Sequence, residues 1–226
     1  MKKLIPLTVL TIGFLAFLSY WGIEISEFAD GVKKDAIPFE AFSLEKKIQN
    51  GDLIFQTSKS RQSRAVQLAI NSKYSHMGII YENEGDYFVY EAVQTVKLTP
   101  LKEWIPRGEN GHYVVKRLKK GEQILTNSTF EKMKQVGERY KGKPYDLYFE
   151  WSDDKIYCSE LVWKMYKEAA NIEIGSLDQL SDFDLSNNIV KATIKERYGD
   201  NIPMDEKVIS PSAMFNSDKL ITIEEK

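Results

Sequence analysis

The hydrophobic and polar positions of this chain fall into two regimes. Residues 4–23 carry no charge, and their polar side chains are confined to Thr8, Thr11, Ser19, Tyr20 and the indole of Trp21. Twenty such residues in a helix cover about 30 Å, the thickness of a bilayer's hydrocarbon layer. Lys2 and Lys3 precede the stretch and Tyr20 and Trp21 close it, which places the N-terminus in the cytoplasm and the rest of the chain outside. No small-x-small cleavage site follows directly, so residues 1–23 are expected to be a retained signal-anchor, with a cleaved signal peptide left open. The remainder is then expected to be membrane-anchored or exported, in a bacterial periplasm or at a cell surface.

After that stretch the pattern becomes globular. Residues 24–38 mix acids, lysines, Gly31 and Pro38 and read as a linker, leaving residues 39–226 as one domain. Residues 41–50 predict a short amphipathic helix stopped by Asn50-Gly51. Residues 52–57 predict a strand, residues 63–70 a helix, and residues 75–81 and 87–93 a hairpin around the polar run 82–86. A strand is predicted at 113–118. Ser128-x-x-Glu131 reads as a capping box opening a helix to Tyr140. A further helix is predicted from Cys158 to Ala170, a turn or short helix at Ser210-Pro211-Ser212, and a last strand at 220–223. This mixture predicts an α+β domain. Residues 171–205 follow no recognisable pattern and are a candidate for a substrate groove.

Composition narrows the function. Of 226 residues, 42% are hydrophobic and 28% charged, with a net charge of −2, so no basic field calls for nucleic acid. One cysteine and two histidines form no disulfide and cannot supply the four ligands of a structural zinc.

That lone cysteine, Cys158, falls in the predicted first turn of a helix, where unpaired backbone N–H groups and the dipole favour a thiolate. Leu161, Val162, Met165 and Ala169 follow at helical spacing, so Cys158 lies on the face that packs inward. A thiol nucleophile needs a base, and His76 begins the first hairpin strand, whereas His112 reads as a turn residue. A two-residue loop Asn83-Glu84 would set His76 directly opposite Glu91. A four-residue loop of residues 83–86 would move Glu91 to a diagonal place on the same face, and an odd-length loop would separate the two. Gly78 marks either an uncrowded backbone near the base or close packing. Ser159 lacks the inward register, and Glu160 reads as a partner of the helix dipole. Tyr145, in the turn before the cysteine helix, is either an oxyanion donor or a packed aromatic.

Gly51-Asp52-Leu53-Ile54-Phe55, Ser75-His76-Met77-Gly78, Glu91-Ala92, Pro144-Tyr145-Asp146 and Tyr157-Cys158-Ser159-Glu160-Leu161-Val162, in that order, resemble the YiiX-like permuted papain-type cysteine hydrolases of the NlpC-type superfamily. In ordinary papain-like enzymes the cysteine helix comes first; here, as in the permuted group, the histidine and its acidic partner precede it. The resemblance implies a circularly permuted papain-like fold, with an antiparallel sheet packed against the nucleophile's helix and the apolar N-terminal helix before it. It implies Cys158 as nucleophile, His76 as base and then acid, Glu91 as orienting carboxylate, and Tyr145 as an oxyanion candidate. It also implies cleavage of an amide in a peptide or amino-acyl compound, in some relatives derived from the cell wall, without metal or organic cofactor. Two alternatives stay open: a lipid-directed acyltransferase or thioesterase with the same triad, and a non-catalytic anchored binding module. The expected partners are thus a peptide, amide or lipid-linked substrate and, through the N-terminal helix, the membrane.

Overall fold

The computed structural model describes residues 44–60 and 62–226; the expected anchor and linker lie outside them. Among the described residues, six strands form one antiparallel sheet: β1 (Leu53–Gln56), β2 (His76–Asn83), β3 (Asp86–Ala92), β4 (Val96–Pro100), β5 (Val114–Leu118) and, after a two-stranded ribbon of β6 (Asp178–Gln179) and β7 (Lys207–Val208), β8 (Leu220–Glu225). Their spatial order is β4-β3-β2-β1-β5-β8. The longer helices are α1 (Ser63–Ala69), α2 (Asn127–Tyr140), α3 (Cys158–Ala170), α4 (Asn188–Tyr198) and α5 (Pro211–Phe215). This mixture of helices and antiparallel sheet agrees with a permuted papain-like architecture. No helix among the described residues is long and apolar enough to cross a membrane.

Both faces of the sheet are covered, which explains why β1 is apolar at successive positions instead of alternating. Leu53, Phe55, Met77 and Ile79 point to one face and pack with Met133 and Val136 of α2 and Leu161, Val162 and Met165 of α3. Ile54, Ile80, Val89 and Val115 point to the other and pack with Leu44, Ile48, Leu101 and Trp104.

The hairpin adopts the register in which Glu91 is diagonal to His76. Asn83 pairs with Asp86 and Ile79 with Tyr90, so the reversal is made by Glu84 and Gly85 alone, with φ of 55° and 88°. One residue beyond the Ile79–Tyr90 pair, Glu91 faces Gly78. Gly78 is there because the strands come close: a Cβ on it would lie 2.7 Å from the Tyr90 carbonyl and 3.3 Å from the Glu91 Cβ.

Three local expectations change. The cap of α2 is Thr126, whose side chain accepts from the Thr129 N–H at 3.3 Å, because residue 126 is extended while Asn127 and Ser128 are already helical. Strand β4 and helix α4 lie in stretches where the sequence pattern predicts no element. Of the helix expected at 41–50, only Leu44 and Glu45 are helical among the described residues.

Candidate active site

Cys158 is the first residue of α3, with Tyr157 extended before it as the cap, and it is almost fully buried. The Glu160 carboxylate accepts from the Tyr157 N–H at 3.4 Å and pairs with Lys164 at 2.8 Å. Burial pushes the Glu160 pKa up to about 8, opposed by Lys164 and the Tyr157 N–H, and the carboxyl closes the helix start while meeting Lys164. Ser159 spends its hydroxyl on the Ile209 carbonyl at 2.7 Å, a structural bond.

His76, the first residue of β2, projects to the face of the sheet opposite α3, as its alternation with Met77 requires. The cysteine reaches it at the strand's end, where the Sγ meets the imidazole and the backbone N–H of Met77 and Ser159. Nε2 of the ring is 2.6 Å from Oε2 of Glu91. This contact occupies Nε2. Glu91 is completely buried and fully engaged. Thr99 Oγ1 donates to its Oε1 at 2.6 Å, Trp104 Nε1 to its Oε2 at 2.8 Å, and Arg107 to its Oε1. Trp104 also stacks along the imidazole at 6.0 Å between centroids. The polar–apolar pattern holds no clear signal for Thr99, Trp104 or Arg107, since they come from β4 and the short helical turns of residues 101–104 and 105–107 after it.

The electrostatics follow from these contacts. Burial alone would lower the His76 pKa, but Cys158 and Glu91 raise it to about 9. Burial opposes ionisation of Cys158, yet His76 and the two backbone N–H groups hold the thiol below its ordinary range. Glu91 is likewise opposed by burial, and His76, Thr99 and Arg107 bring it down to about 2. These contacts favour the thiolate–imidazolium pair, backed by the Glu91 carboxylate, over the neutral thiol and imidazole.

Tyr145 also meets Cys158 through its hydroxyl; burial and the nearby sulfur keep its pKa well above the phenol range, so the proton stays on. Gln62 Nε2 approaches the same oxygen at 3.5 Å, and Arg197 of α4 donates to Gln62 Oε1 at 2.9 Å. Neither Gln62 nor Arg197 stands out in the sequence; Arg197 lies in the tail that matches no pattern. The structure therefore brings Cys158, His76, Glu91 and Tyr145 into one cluster. His112 lies apart, stacked on Tyr74.

Comparison with known proteins gives the lineage. A family model described as "Permuted papain-like amidase enzyme, YaeF/YiiX, C92 family" matches residues 47–224. The uncharacterized protein YiiX of Escherichia coli K12 is 49% identical over 175 residues, covering 77% of this chain and 85% of that protein. The crystal structure of YiiX from Escherichia coli O157:H7, described as a metalloprotein, superposes with a TM-score of 0.76 at 49% identity, covering 80% of this chain and 98% of the other. The residues here do not fit a metal centre: no three His, Cys, Asp or Glu side chains converge as one among the described residues, and the oxygens of Glu91 are already taken by four donors. With a family match across most of its length and a half-identical relative, the chain belongs to the permuted papain-like amidases of the YaeF/YiiX family and is a hydrolase.

Proposed function

We propose that the protein hydrolyses an amide bond through a Cys158–His76–Glu91 triad. The observation that carries this reading is the position of His76, which meets both the Glu91 carboxylate, at Nε2, and the Cys158 thiol. The Cys158 thiolate attacks the carbonyl carbon, and the tetrahedral oxyanion is held by the Cys158 N–H and the Tyr145 hydroxyl. His76, protonated, gives its proton to the leaving nitrogen as the C–N bond breaks. It then takes one from the water that attacks the thioester, and the acid and the free thiol result. Glu91 fixes the tautomer and supports the imidazolium, as the third member of a triad does. Arg197 holds Gln62, and Gln62 holds the Tyr145 oxygen, so the tyrosine proton is left to point at the reacting centre. The uncharged stretch behind Lys2 and Lys3 carries the domain out of the cytoplasm.

Purified Cys158→Ala and His76→Ala proteins are expected to show no amidase turnover on small acyl amides, and Glu91→Gln a partial loss. Full activity in Cys158→Ser or in His76→Ala would remove the triad.

A further inference from the structure

Two hollows open at the reacting atoms. An apolar cleft bordered by α4 is lined by Cys158 but not by His76. The other, a trough with about 1100 Å³ of open space, is lined by His76 but not by Cys158. When the C–N bond breaks, the leaving nitrogen takes its proton from the imidazole. Whatever is attached to that nitrogen therefore lies in the trough beside His76, and the chemistry of the trough wall selects the amine.

Among the described residues, no aspartate or glutamate lines this trough. Its polar side chains are glutamines, serines and Tyr145, all uncharged, with Arg107 as the only charged side chain besides His76. The Arg107 side chain is 39% exposed. Of the five N–H groups of a guanidinium, one donates to Glu91 Oε1, and Nε is buried without a hydrogen-bond partner among the described residues. Glu91 already accepts from four groups, so its charge is shared and Arg107 keeps N–H groups to give. Lys59, between the wall residues Ser58 and Ser60, donates to the carbonyl of Pro106 at 3.1 Å and brings a second cation next to Arg107. Gln56, which pairs with His76 across β1 and β2, buries its Oε1 in the same wall without a partner among the described residues.

The trough thus presents an unpaired acceptor beside the imidazole and, at Arg107, uncommitted cationic donors. An α-amino acid in amide linkage carries the complementary groups, an N–H at the scissile bond and a carboxylate on the next carbon. We infer that the amine released is an amino acid with a free carboxylate, which Arg107 holds in the trough while Gln56 accepts from the scissile N–H. This rests on the triad reading for its orientation. Water is the second substrate: its hydroxyl goes to the acyl carbon and its other hydrogen to the nitrogen, and the products are a carboxylic acid and the free amino acid.

The test uses purified full-length protein and three amides that share a butanoyl group and differ in the charge of the amine: butanoylglycine, butanoylglycinamide and N-(2-aminoethyl)butanamide. Binding is measured by calorimetry to the Cys158→Ala variant, and turnover by amine release from the unmodified enzyme. Butanoylglycine is expected to bind about tenfold tighter than butanoylglycinamide, and the cationic amide more weakly than either. In Arg107→Met, combined with Cys158→Ala for binding, the tenfold preference should fall to about one. Gln94→Glu, at an exposed position in the same wall, should weaken butanoylglycine while leaving butanoylglycinamide as it was, and it reads the same preference where Arg107→Met does not fold. Equal binding of the three amides, tightest binding of the cationic one, or a preference for the carboxylate unmoved by these substitutions would overturn the assignment even where turnover is normal. Carboxylate-dependent binding in the absence of any turnover would support the trough assignment and count against the triad alone.

Discussion

At the scale of single residues, the site is governed by how burial and partners compete for each proton. The raised His76 pKa means that the imidazolium survives to about pH 9 and is lost above it, so kcat/KM is expected to fall as pH rises through that value. The depressed Cys158 thiol puts the rising limb below the ordinary thiol range; the two limbs belong to the coupled pair. Glu91→Gln removes a charge that favours the imidazolium. The falling limb should move to lower pH in a pH–rate profile, with turnover reduced by about 10²-fold. Glu91 has a second consequence, for stability. Its pKa of about 2 lies below the ordinary carboxyl value of 4.5, so its contribution is fully present above pH 4.5 and is lost as pH falls toward 2. Urea unfolding between pH 2 and 6 should show a shallower acid loss in Glu91→Gln than in the unmodified protein. Tyr145→Phe tests the oxyanion role: kcat is expected to drop by about 10² with KM little changed.

Among the elements, β2 and β3 set the distance between imidazole and carboxylate, and Gly78 sets the distance between the strands. In Gly78→Ala the added carbon would press on the Tyr90 carbonyl, which is backbone and cannot rotate away. Loss of about 1–3 kcal/mol in chemical denaturation is expected, together with reduced activity as β3 shifts Glu91. The same hairpin marks how far the sequence can be read. That His76 and Glu91 share a face follows from strand alternation, but choosing between two even-length loops needs the positive φ of Glu84, which composition does not announce. The start of α3 at Cys158 is legible because the apolar spacing of Leu161, Val162, Met165 and Ala169 begins there. Helix α4 is not. Only Val190 is buried on it, so it carries no apolar stripe of its own, and it is placed by the cleft it borders. The partners of Glu91 are hidden for a similar reason: Thr99, Trp104 and Arg107 are brought in by tertiary packing of short segments.

For the whole molecule, the proposed site depends on distant segments converging at one end of the sheet. His76 and Glu91 come from one face of the hairpin, Cys158 from the helix covering the other face, and Tyr145 from the loop between α2 and α3. Asp52, buried ahead of β1, accepts two hydrogen bonds from Arg117 of β5 at 2.7 Å each, and Arg117 also donates to the Lys47 carbonyl at 2.8 Å. Arg117→Ala would leave that carboxylate buried without its cation, and a loss of about 3–5 kcal/mol is expected in thermal or urea unfolding. Convergence itself is tested most directly by the reactivity of Cys158. Its alkylation by iodoacetamide should already be fast at pH 6 to 7, well below the ordinary thiol pKa of about 8.5, and should become slow there in His76→Ala. A thiol that reacts only above about pH 8.5, at a rate indifferent to His76, would contradict the paired thiolate and the hydrolytic mechanism built on it.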